Sequence, residues 1–120
     1  MVRSKKSARA MCTLLAMAAS IWAAGPAFAD CGGEYCSDVY VDQLYMESSG
    51  GLWVQTSGTE TALSCTPDSG IFLRLTYDVP GLKNIYAGLL AAQMAGSKVT
   101  VRISGGSSPC SISYVLVNRQ

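Results

Sequence analysis

Histidine is absent from this 120-residue chain, and charged side chains make up only 14% of it. Without histidine the commonest general base is missing, and every Ser-His or Cys-His nucleophile arrangement is excluded. The chain also lacks an internal repeat, a low-complexity linker, a calcium-loop motif and an S-x-x-K pattern around Lys83 or Lys98. Its length allows one small domain and rules out a multidomain enzyme. What it does have is a 49% apolar composition and five cysteines.

The N-terminus reads as a secretory signal peptide, residues 1–29. Arg3, Lys5, Lys6 and Arg9 form a basic leading region, and no acidic residue precedes Asp30. An almost wholly apolar stretch runs from Ala10 to Ala24 and breaks at Gly25-Pro26. Ala27-Phe28-Ala29 then offers small residues at the two positions a signal peptidase reads, which places cleavage after Ala29. The alternative is a membrane anchor of nearly spanning length between Arg9 and Asp30. The Gly-Pro break and the cleavage pattern favour removal, leaving no membrane span. Asp30 in front of Cys31 argues against a lipid anchor. The expected localisation is therefore periplasmic or secreted.

From Asp30 onward five cations (Arg74, Lys83, Lys98, Arg102, Arg119) face eight acids, a net charge of −3. That mildly acidic balance disfavours nucleic acid as a partner. Four cysteines remain after Cys12 leaves with the signal. An even number in a short exported chain reads as two disulfides with three connectivities. The preferred set closes a small loop with Cys31–Cys36 and clamps the core with Cys65–Cys110. Zinc is the rival, but the spacings fit no zinc pattern. No metal and no cofactor is expected.

Residues 30–38 form a Gly-rich N-terminal segment, and 39–120 a single domain. Val39–Met46 is strand-like, with an alternation that slips at Asp42-Gln43 and calls for a β-bulge. Ser48-Ser49-Gly50-Gly51 is a hairpin turn with Leu52–Thr56 as the return strand. Ser57–Thr59 is a bend ahead of 61–65, and Pro67–Gly70 is a turn. Ile71, Leu73 and Leu75 alternate with Phe72, Arg74 and Thr76 as a half-buried strand. The period then switches to that of a helix, Leu82–Ala95. Leu82, Ile85, Tyr86, Leu89 and Gln93 lie on one face, Leu90 and Met94 widen it, and Gly96 closes it. Ala87, Ala91 and Ala95 make a small-residue back that permits an oligomer contact. Val99–Ile103 is a clean alternating strand. Residues 112–117 are apolar at every other and intervening position, as for a strand covered on both faces.

The order β-β-β-α-β-β describes a mainly β domain with one helix, an OB-like five-stranded barrel. The alternative is a small α+β antiparallel sheet with the helix packed on it.

Catalysis finds little support. Paired carboxylates remain, for example Glu60 with Asp68 or Asp78, but they sit at turns and strand ends where acids are usually just solvated. The chain reads as a non-enzyme. A binding site is better supported. Trp53 faces opposite to Leu52 and Val54, beside Gln55, Thr56, Ser57, Thr59 and Glu60, so an exposed indole there would stack on a sugar while the polar groups hydrogen-bond it. The competing reading makes Trp53 core or interface filling. Tyr35, Tyr40, Tyr45 and Tyr114 are ambiguous in the same way. OB-folds bind oligosaccharides on the corresponding face, an argument by fold analogy.

The segments 53–60 (WVQTSGTE), 63–66 (LSCT), 85–92 (IYAGLLAA), 98–102 (KVTVR) and 110–115 (CSISYV) resemble a group of short, largely uncharacterised exported proteins of Gram-negative bacteria. The likeness spans about Val39 to Val117. In that group the cysteines matching Cys65 and Cys110 are the recurring pair, and Cys31 and Cys36 are an addition. More distantly the strand–helix–strand plan is similar to the B subunits of AB5-type toxins, including the subtilase-cytotoxin type. That resemblance implies an exported OB-fold, a pentameric ring lined by helices, and binding of cell-surface glycans. No glycan-binding motif carries over residue by residue. Three functions follow as expectations: a glycan-binding, ring-forming homo-oligomer, a monomeric periplasmic inhibitor or immunity-type protein with a protein partner, and an envelope structural protein.

The Cys65–Cys110 bridge closes a long loop and contributes about 4 kcal/mol by the chain-entropy model. Reduction, or Cys65→Ala, is expected to lower the melting temperature sharply. Peptide mapping that found free thiols at both positions, with melting insensitive to reductant, would remove this pairing.

Overall fold

In the computed structural model residues 29–119 are described, so the signal-peptide segment, including Cys12, lies outside the described residues apart from Ala29. Seven strands and one helix follow in order: β1 (Asp30–Gly32), β2 (Tyr35–Val39), β3 (Val41–Met46), β4 (Leu52–Thr56), β5 (Leu73–Leu75), α1 (Leu82–Ala95), β6 (Val99–Ile103) and β7 (Ile112–Val117). A 3-10 turn, Glu60–Ala62, lies between β4 and β5.

The strands form two antiparallel sheets, one ordered β1-β2-β6-β7 and the other β3-β4-β5. The mainly β, one-helix expectation holds at this level. The five-strand count does not, and no closed barrel is present among the described residues. Two local causes account for the extra strands. First, Cys31 and Cys36 face one another in register and are bridged, so the Gly-rich N-terminal segment folds as the β1–β2 hairpin rather than as a loose tether. Second, Asp38 takes a left-handed backbone (φ 52°), which interrupts the β2–β6 ladder and divides one long strand into β2 and β3 around Tyr40.

Other local readings match. The register of β3 against β4 shifts between Val41 and Gln43, the bulge that the slipped alternation at Asp42-Gln43 called for. Glu47 and Gly50–Gly51 close the β3–β4 hairpin through Gly50 N–H to Glu47 O at 2.9 Å, and Gly50 has φ 95°. The helix runs from Leu82 to Ala95 and ends on a left-handed Gly96. Its Gln93 side chain donates to Asp42 O at 3.2 Å, tying α1 to the β3 bulge.

The core joins the inward faces of both sheets and the helix: Val39, Val54, Leu73, Leu75, Leu89, Val99, Val101 and Ile103 are fully enclosed. Ala92, rather than Met94, completes the buried stripe of α1, and Met94 is 81% exposed. The small-residue back, Ala87, Ala91 and Ala95, is exposed. Strand β7 also departs from its sequence pattern. It is the outermost strand of its sheet, with Ile112 buried and Tyr114, Leu116 and Val117 exposed. Continuous apolar character there reflects an uncovered face, not cover on both sides.

Chain crossing between the sheets leaves no room at one point. A Cβ on Gly58 would lie 2.7 Å from Cys31 Sγ, 3.1 Å from Cys31 N and 3.1 Å from Val39 Cγ1. Gly58→Ala is therefore expected to destabilise the fold by about 1–3 kcal/mol, as overpacking does. A denaturant midpoint unchanged from wild type would contradict this close approach.

Candidate functional site

The residues singled out from sequence, Trp53 to Glu60, do not form one open patch. Trp53 lies in the middle strand of its sheet, between Tyr45 of β3 and Arg74 of β5 in register. Those two partners close over it. Tyr45 meets the indole edge-on at 5.5 Å between centroids, and Arg74 Cζ sits 4.7 Å from the indole centroid. The indole N–H donates to Asp68 Oδ2 at 2.8 Å, and Trp53 is only 7% exposed. An indole so enclosed does not offer a face to a sugar ring. Trp53 is buried beneath its strand neighbours Tyr45 and Arg74, outside the cluster that forms the main core.

Thr56 and Glu60 are also internal. Glu60, 5% exposed, accepts from the Thr56 backbone N–H at 2.7 Å and from the Thr56 hydroxyl at 2.9 Å. Thr56 Oγ1 in turn accepts from Gly58 N–H at 3.2 Å. The carboxylate thus completes the turn after β4, satisfying buried donors that would otherwise be orphaned. Gln55 is half-buried, while Ser57 and Thr59 are exposed. Both exposed residues hold the chain. Ser57 Oγ accepts from Tyr40 N–H at 2.9 Å, and Thr59 N–H donates to Asp30 Oδ1. That bond, followed by the one from Cys31 N–H at 2.7 Å, keeps the Asp30 carboxyl below its ordinary pKa.

A different surface gathers exposed aromatic and polar groups. Tyr35, Arg102 and Tyr114 lie side by side across β2, β6 and β7 on the outer face of the four-stranded sheet. Arg102 Cζ is 5.4 Å from the Tyr35 centroid and 5.8 Å from that of Tyr114, so the guanidinium bridges two phenol rings. Its Nη2 donates to Glu34 Oε2 at 2.9 Å. Glu34 and then Tyr114 hold the Arg102 pKa above its ordinary value. The Tyr114 hydroxyl, then burial, pushes Tyr35 up. Both tyrosines are 38% exposed. The next row carries Thr100 and the 53% exposed Leu116, and Asn118 Nδ2 donates to Asp38 Oδ1 and Thr100 Oγ1 at 2.8 and 3.3 Å. Sequence reasoning registered Tyr35 and Tyr114 but missed Arg102, because cross-strand register, not spacing along the chain, puts the three together.

Both disulfides expected from sequence are formed, Cys31–Cys36 and Cys65–Cys110. No group of three His, Cys, Asp or Glu residues suited to a metal ion occurs among the described residues. Among those residues no helix is long and apolar enough to cross a membrane. No protein-family model matches the chain, and no curated protein matches it.

Replacing Glu60 by leucine keeps bulk but strands the Thr56 N–H, at an expected cost of about 1–3 kcal/mol. Chemical denaturation of Glu60→Leu checks this. Full retention of stability would mean that the carboxylate is not what completes the turn.

Proposed function

We propose that the protein is an exported binding module that recognises a glycan through the Tyr35–Arg102–Tyr114 row and associates into a ring of identical copies. The observation carrying this reading is an open sheet face on which a guanidinium is held between two half-exposed phenols. Aromatic rings take the apolar face of a sugar, and a planar guanidinium and a flanking carboxylate bond its hydroxyls. Glu34, Thr100 and the Ser104–Ser113 hydroxyl pair supply such polar groups at the margin. The row is preorganised by its cross-strand contacts, which lowers the ordering cost of binding.

Two links between the sheets support an OB-like reading of the fold. One chain stretch, Tyr35–Met46, feeds both sheets, and Arg74 of β5 makes a parallel bridge to Ser111 at the start of β7. Export to the periplasm or beyond is supported by the two disulfides, which persist in oxidising compartments. The exposed Leu116 and Val117 on outer strand β7, with Met94 on α1, also favour a second reading, in which a monomer presents this edge to a protein partner.

Glycan-array screening of the oxidised protein tests the first reading, together with light scattering after gel filtration. Binding is expected to weaken about tenfold (~1.4 kcal/mol) in Tyr114→Ala and Arg102→Ala. Tyr45→Ala, on the other sheet, should leave it unchanged. A discrete mass near five protomers supports the ring. A clean monomer that binds no glycan overturns both parts and favours the protein-partner reading.

A further inference from the structure

Arg74 stands out among the cations because its Nε is enclosed with no hydrogen-bond acceptor and its guanidinium makes no ion pair among the described residues. The one ion pair among the described residues is Arg102–Glu34. Arg74 Nε is enclosed without any hydrogen-bond acceptor, the one such buried side-chain atom among those residues. An unpaired guanidinium in a half-buried position costs free energy unless something answers it. Here the indole face of Trp53, 4.7 Å from Cζ, answers part of the charge. The backbone is fixed as well. Arg74 N–H donates to Cys110 O at 2.7 Å, beside the Cys65–Cys110 bridge.

The guanidinium opens onto a polar notch of about 370 Å³. Its walls are Thr66, Pro67, Asp68, Ser69, Ser108 and Pro109. One Asp68 oxygen is taken by the Trp53 N–H, so the acid is anchored to the same indole that carries Arg74. The volume is at the small end of ligand sites. The notch lies on the β5 side of the molecule and shares no residue with the Tyr35–Arg102–Tyr114 row.

The geometry points to a carboxylate-binding site in this notch, with Arg74 as the anion-holding residue. A carboxylate is planar and singly charged, and it matches the free N–H groups at the end of a guanidinium. The serine and threonine hydroxyls and Asp68 meet hydroxyl or amide groups next to that carboxylate. Asp68 also sets the selectivity. A phosphate dianion would carry a second negative charge toward it and be repelled. The carboxylate can come from a sugar acid or from the C-terminus of a peptide. Both present one carboxylate beside hydrogen-bonding groups.

Two-dimensional NMR titration of the oxidised protein separates the sources. The probes are glucuronic acid, N-acetyl-alanyl-alanine, their neutral counterparts glucose and N-acetyl-alanyl-alanine amide, and inorganic phosphate. The readouts are the Arg74 Nε–H and Trp53 Nε1–H resonances, assigned by their loss in Arg74→Gln and Trp53→Phe. Saturable shifts with glucuronic acid alone support the site and assign it to sugar acids. Saturable shifts with the acidic dipeptide alone support it and assign it to peptide C-termini. In either case the neutral counterpart should be at least tenfold weaker. Trp53 is the one tryptophan from Asp30 onward, so its indole resonance in the cleaved protein needs no variant for assignment and the wild-type titration stands if either variant fails to fold. No saturable shift with either carboxylate overturns the proposal, as does phosphate binding as tightly as the better carboxylate.

Discussion

The two sheets depend on one corner, where the chain leaves the four-stranded sheet at Val39 and enters the three-stranded sheet at Val41. A single residue, Tyr40, makes the passage. The backbone turns there because Asp38 is left-handed, a conformation that aspartate tolerates better than most residues. Asn118 from the end of β7 holds the Asp38 carboxylate, and Ser57 holds Tyr40 through both its backbone and its hydroxyl. Gly58 lets the turn after β4 approach Cys31 and Val39 without collision. Glu60 then ties that turn to Thr56 from inside. Bend, glycine contact and buried carboxylate together set how the sheets meet, and so which faces are left open.

Each sheet carries a cross-strand row of aromatic rings and one arginine. In the three-stranded sheet the row is Tyr45–Trp53–Arg74, and in the four-stranded sheet it is Tyr35–Arg102–Tyr114. The order decides the exposure. With tryptophan in the middle, its partners cover the large ring and Asp68 takes its N–H, so the indole becomes a structural centre. With arginine in the middle no large ring is covered, and the two phenols, like Tyr45 in the other row, remain partly open. The same residue types thus enclose an indole in one sheet and leave a guanidinium between two phenols at the surface of the other.

Much of the local structure was legible along the chain. The limits of α1, the Gly96 cap, the β3 bulge and the turns at Ser48–Gly51 and Pro67–Gly70 all depend on residues within a few positions of one another. The candidate site was not legible in that way. Gln55, Thr56, Ser57, Thr59 and Glu60 are polar and adjacent in sequence, which reads as a surface. In the fold Thr56 and Glu60 stabilise a turn from inside, because buried backbone donors require polar partners as much as ligands do, while Ser57 and Thr59 tie that turn to Tyr40 and Asp30. Arg102 and Arg74 carried no signal in sequence, since their roles come from strands distant in the chain.

Sequence by itself determined the helix, the hairpin turns and a preferred pairing of four cysteines, because periodicity, turn chemistry and cysteine count act locally or combinatorially. Tertiary structure alone decided that Trp53 is enclosed, that β7 lies at an open edge, and that Arg74 Nε is buried without an acceptor. Those three outcomes depend on which strand lies beside which, and register between distant strands leaves no periodic trace in the amino-acid order.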